Sequence, residues 1–162
     1  MLDLPNNPPP GVEPGYWPAD TLRAATVWGE ARGEGLVGMI AVNCVIGNRV
    51  ESGRSLWSTV AKVCLQPWQF SCWNINDPNS AKLHEPQKHE PNGWLKAQVA
   101  VAVVRDKICG DITNGATHYC TKNLWGVPRD VNHPKWHDSA EIESGRTVKT
   151  FEWGNHVFAK AK

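Results

Sequence analysis

The string WGEARGEG (28–35) sets two carboxylates, Glu30 and Glu34, four positions apart beside a tryptophan and two glycines. Cleavage of a glycosidic bond needs a carboxylic acid that holds a proton near neutral pH and passes it to the leaving oxygen. A carboxyl group set against an indole and an apolar helix has its charged form disfavoured. Trp28 and the apolar run after Gly35 offer both surroundings, which makes Glu30 the candidate acid. Taken alone, the string equally suits a solvated helix face. On a continuous helix Glu34 would share a face with Glu30, but Gly33 and Gly35 predict a break there. Glu34 is thus a second catalytic acid, a substrate-binding group or a cap for the next helix, with a supporting role favoured.

The elements that must position these residues are readable in outline. Asp20 is placed to cap a helix from about Thr21 to Glu30, with Leu22, Ala25 and Trp28 on one face. From Leu36 to Val50 the chain is apolar nearly all round, as befits a helix in the middle of a fold. Ser55 is placed to cap a short helix over 55–64, and a Pro-, Asn- and His-rich stretch runs from about Gln66 to Asn92. Asn92 then caps a helix over 93–108, with Gly110 just past its end. Segments 116–120 and 147–159 interleave polar and aromatic residues as β segments do, and an irregular loop spans 123–138. The expected fold class is α+β: a mostly helical domain with a small antiparallel sheet near the C-terminus. Residues 1–18, with six prolines, form an extended N-terminal arm, and 19–162 form one domain.

Composition narrows the function. A net charge of +1, with only a mild basic bias after residue 82, argues against nucleic-acid binding. No segment approaches the roughly 20 apolar residues that span a membrane, so stable membrane insertion is not expected. Nine tryptophans exceed the packing needs of 162 residues. Surplus aromatics in a cleft suit flat, polar-edged ligands such as sugar rings. The five cysteines lack a regular framework spacing and are read as reduced thiols. A zinc site is the rival chemistry. His133 and His137 are four apart and His118 alternates with Cys120, but Pro134 interrupts any helix and no HExxH string exists.

The string WGEARGEG followed by GMIAVNCVIGNRV (38–50) resembles the opening of the SleB-type cell-wall hydrolases, which include spore-cortex-lytic and phage enzymes. Further on, QPWQFSCW (66–73), NGATHYC (114–120) and PKWHDS with GNHVFAK resemble that family's later motifs, in the same order. The likeness covers roughly residues 20–160. It implies a fold related to lysozyme and the lytic transglycosylases, with peptidoglycan glycan strands as substrate. It also implies one helix-end glutamate, matched here by Glu30, acting first as acid and then as base. The 6-hydroxyl of muramic acid would attack and leave a 1,6-anhydro ring. Gln69, Ser71, Tyr119 and His156 fall on the matching motifs as substrate-binding candidates. Trp73, Trp125 and Trp136 are candidate stacking platforms, and Phe70 is expected to pack inward. No cofactor and no metal are expected, and a monomer is. The N-terminus has no basic region followed by an apolar run. Synthesis in a host cytoplasm, with action on the wall after release as a phage endolysin, is therefore the expected localisation. The alternatives are a hydrolytic muramidase with the same glutamate and a non-catalytic peptidoglycan-binding module.

Overall fold

The computed structural model describes residues 1–128 and 135–162. Helix α1 (Ala19–Ala31) buries Leu22, Ala24, Ala25, Val27, Trp28 and Ala31. It starts at Pro18, not at the expected Asp20 cap; Asp20 lies in the first turn and pairs with Arg105 at 3.1 Å. As the glycines predict, the helix breaks after Ala31 into a 3-10 turn (Arg32–Glu34), and α2 (Gly35–Glu51) restarts in a new direction. Gly35, at φ +70°, makes the corner.

A short helix, α3 (Val60–Cys64), follows, and its cap differs from expectation. Ser55 opens a separate 3-10 turn (Ser55–Trp57), whereas the Thr59 side chain accepts the Lys62 amide. The Pro-rich stretch winds through further 3-10 turns to α4 (Pro86–His89) and α5 (Pro91–Arg105). Proline suits the first turn of α5, which lacks an amide partner anyway, so Glu90 and not Asn92 stands at the cap. The helix ends earlier than Gly110. Lys107 takes the left-handed conformation (φ +56°), and its amide and that of Ile108 return to the Val104 and Val103 carbonyls, closing the helix.

Helix α2 packs against both α1 and α5, the central place its apolar surface predicts. Met39, Val42, Val45, Ile46, Trp94 and Val101 join α1 in one core. The N-terminal arm lies on this bundle. Trp94 Nε1 donates to Asn7 Oδ1 at 2.7 Å, Thr21 Oγ1 donates to the Asn6 carbonyl, and Trp17 is buried.

Beside the helices stands a three-stranded antiparallel sheet of order β1-β3-β2, with α6 (Ser139–Glu143) between its first two strands in the chain. Its strands are β1 (His118–Thr121), β2 (Thr147–Trp153) and β3 (His156–Ala161). The segment 147–159, expected as one β segment, is a hairpin that turns at Gly154 and Asn155. Tyr119 of β1 faces Phe158 of β3 in register, their rings stacked at 5.6 Å, and Phe158 is buried in the core. The fold is the expected mostly helical α+β class. Among the described residues no helix is long and apolar enough to cross a membrane, and all five thiols are free.

Candidate active site

Glu30 sits in the last turn of α1, where the helix end meets the 66–73 segment and strand β1. Its Oε1 accepts from the Cys72 amide at 2.8 Å and from Ser71 Oγ at 3.1 Å. Its Oε2 accepts from Tyr119 Oη at 2.7 Å. Two carboxylate oxygens offer about four lone-pair sites. Three are taken, and the one left belongs to Oε2.

Each donor is placed by a local cause. Gly29 lets the 71–73 turn lie on the helix, because a Cβ there would sit 2.6 Å from Cys72 Cβ and 2.9 Å from Leu83 Cδ2. Phe70 is buried and anchors the turn from one side. Trp73 Nε1 anchors it from the other by donating to Thr26 Oγ1 at 2.9 Å. Tyr119 is held by its stack on Phe158 and by the edge of His156 at 5.5 Å. Burial, and then the nearby Glu30 carboxylate, push the Tyr119 hydroxyl well above its ordinary value, so it stays a neutral donor.

Glu30, Ser71 and Tyr119 line a cleft of about 490 Å³ together with Arg49, Gln69, His118, Trp136 and His156. Among the described lining residues Glu30 is the one carboxylate. Arg49, missed by the sequence reading, is only 3% exposed; its Nε donates to the Thr117 carbonyl at 2.6 Å. Its guanidinium lies 5.1 Å from the Trp57 ring and 5.3 Å from that of Phe70. It ties α2 to the start of β1. The available signal was a lone cation in an otherwise apolar helix. His118, which by sequence alone is a candidate zinc ligand, is also on the cleft wall. Burial, followed by the Arg49 and Arg54 charges, lowers its pKa to about 4, so the ring is neutral at neutral pH.

The expected residues divide accordingly. Gln69, Ser71, Tyr119, Trp136 and His156 line the Glu30 cleft. Trp125 stands behind Trp136, ring centres 6.5 Å apart, and Trp73 borders a neighbouring pocket. Trp28 is not the aromatic beside Glu30. Two positions apart on a helix point to roughly opposite sides, and Trp28 is buried with the Arg32 guanidinium 4.7 Å over its ring. The aromatic at the carboxylate is Tyr119, and it offers a hydrogen-bond donor in place of the apolar face expected.

Glu34 lies outside the cleft lining and binds the sheet. Its Oε2 accepts the Asn155 amide at 3.1 Å, its carbonyl accepts Trp153 Nε1 at 3.2 Å, and its Oε1 lies 3.6 Å from His156 Nδ1. Gly154, at φ +53°, makes room, because a Cβ there would fall 1.6 Å from Glu34 Oε2. Among the described residues no group of three His, Cys, Asp or Glu side chains could hold a metal ion. His133, the other half of the zinc reading, lies outside the described residues.

The mostly helical domain with its small flanking sheet has a lysozyme-like fold, as its likeness to solved structures shows. The cell wall hydrolase family model matches residues 33–159. The chain belongs to that family. Among solved structures it is similar to the catalytic domain of the Bacillus cereus SleB protein, at 24% identity and TM-score 0.57, covering 96% of this chain and 97% of that one. It is also similar to the catalytic domain of a germination-specific lytic transglycosylase, SleB from Bacillus anthracis. That match has 27% identity and TM-score 0.57, covering 94% of this chain and 99% of the other. No curated protein matches. Glu30 precedes the matched residues by three positions, so its place in the site rests on geometry.

Proposed function

We propose that the protein cuts the β-1,4 bond between N-acetylmuramic acid and N-acetylglucosamine as a lytic transglycosylase, with Glu30 as its acid and base. Membership of the cell wall hydrolase family supports peptidoglycan as the substrate, and the Bacillus anthracis likeness supports the reaction type. The observation that carries the mechanism is the cleft's single carboxylate among its described residues, gripped by three donors.

Glu30 gives the proton on the open site of Oε2 to the glycosidic oxygen as the bond from C1 to that oxygen breaks. Ser71 Oγ, the Cys72 amide and Tyr119 Oη then hold the carboxylate that forms. The 6-hydroxyl of the same muramic acid attacks C1 and returns its proton to Glu30. Hydrolysis ordinarily uses a second carboxylate as nucleophile or base; attack by the sugar's own hydroxyl does not. Gln69 and Trp136 offer a hydrogen-bonding amide and a stacking face for the sugars.

Mass spectrometry of fragments released from purified peptidoglycan tests the reading. Anhydro-muramic ends support it. Reducing muramic ends would make the protein a muramidase, and intact glycan with cut peptides would overturn it.

A further inference from the structure

Beyond Trp68 the cleft is continued by a second pocket of about 500 Å³, which shares Trp68 and Ser71 with it. Leu65, Pro67, Trp73 and Ile75 give this pocket apolar faces, Asn74 and Asn76 give it amides, and Asp77, outside the lining of the Glu30 cleft, gives it a carboxylate. Two of its residues are large apolar side chains left in solvent: Trp68 is 82% exposed and Ile75 94%. Exposed apolar surface gathered at one pocket marks a binding site more often than a packing accident. Trp68 also has φ +66°, a left-handed backbone that a bulky residue rarely adopts. Such strain persists where the surrounding structure imposes it, and it gathers at functional sites. Here the residue so held is one that lines both cavities.

We propose that this pocket is an outer subsite for the glycan strand, with Trp68 as the platform over which the strand leaves the Glu30 cleft. The proposal rests on the reading of that cleft as a glycan-cutting site. A sugar ring has an apolar face and a rim of hydroxyl and acetamido groups. An indole beside asparagine amides complements both. Continuity with the cleft selects the occupant, because a strand lying past Glu30 toward Ser71 meets Trp68 next. The pocket thus makes the protein selective for long strands over short ones.

The test compares a peptide-free tetrasaccharide with an octasaccharide from peptidoglycan, using wild type, Trp68→Ala and Ile75→Ala. Both side chains are exposed, so the variants should fold. The wild-type preference for the octasaccharide in kcat/KM should fall about tenfold in Trp68→Ala, the size of one lost aromatic contact, and by a smaller factor in Ile75→Ala. Calorimetry with the Glu30→Gln protein reads the pocket without cleavage. The octasaccharide should bind more tightly than the tetrasaccharide, and adding Trp68→Ala should abolish the difference. A length preference unchanged in both variants, or equal binding of the two lengths, would overturn the subsite. Length-dependent binding with no cleavage by wild type would overturn the glycan-cutting reading and leave the subsite standing.

Discussion

Tyr119 Oη donates to Glu30 Oε2 across 2.7 Å, joining residues 89 positions apart in the chain. The contact brings the first strand of the sheet to the end of α1, and so ties the geometry of the carboxylate to the packing of Tyr119 on Phe158. Because the hydroxyl is held neutral, it donates over the whole working pH range. Tyr119→Phe keeps the stack and removes the donor. We expect kcat to fall about tenfold to a hundredfold with KM little changed, and stability to fall by about 1 kcal/mol. Steady-state kinetics with thermal melting of both proteins checks this.

Glu34 acts, on its contacts, as a latch between the α1–α2 corner and the β2–β3 hairpin. Gly154→Ala drives a methyl group into its carboxylate and strains a left-handed backbone, at a cost of about 1–3 kcal/mol. Glu34→Ala removes the latch from the other side. Each variant should lose less activity than Glu30→Gln, and the double variant should lose less stability than the two single losses added together. A double-mutant cycle from denaturant unfolding measures it. Full additivity would place the two residues in separate contacts.

Gly29→Ala is expected to separate the 71–73 turn from the helix. A Cβ at 2.6 Å from Cys72 Cβ forces one of them to move, costing about 1–3 kcal/mol. Activity should drop along with stability, because Ser71 Oγ and the Cys72 amide move away from Glu30 together. Melting temperature and peptidoglycan solubilisation measured side by side test this.

His118 predicts an acid-side loss of stability. Its pKa of about 4 lies below the ordinary 6.5, so between those values the unfolded chain binds a proton that the folded chain does not. This group leaves stability unchanged above about pH 6.5 and lowers it as the pH falls toward 4, by on the order of 2–3 kcal/mol at the bottom of the window. His118→Gln should flatten that part of the curve. Unfolding at about pH 7.5 and about pH 4.5, for both proteins, shows it.

Much of this site could be read from residue order, and what could not be read has identifiable causes. Gly33 and Gly35 foretell the break after Glu30, and the unbroken apolar run to Val50 foretells a central helix. Capping was harder. Asp20, Ser55 and Asn92 all have capping side chains, yet Asp20 is drawn to Arg105, and Pro91 opens α5 one residue before Asn92. A contact across the fold outweighed the local preference at Asp20, and a stronger local helix-start signal did so at Asn92. The Gly154-Asn155 pair is itself a hairpin signal, overlooked beside the aromatic run around it. Closeness in sequence suggests Trp28 as the neighbour of Glu30, whereas helix geometry points the two apart. Arg49 is set apart by its burial and Trp68 by its backbone conformation, neither of which spacing reveals.

The central claim is that Glu30 is the acid, and its most direct test is the rate of purified peptidoglycan solubilisation by wild type and by Glu30→Gln. Circular dichroism and melting establish that the variant is folded. Loss of a general acid–base group predicts a fall of about 10²–10⁴-fold, with the melting temperature lowered but the variant still folded, since the amide cannot accept all three donors. A folded Glu30→Gln protein that keeps more than about a tenth of the wild-type rate would contradict it, since general acid–base catalysis contributes far more than that.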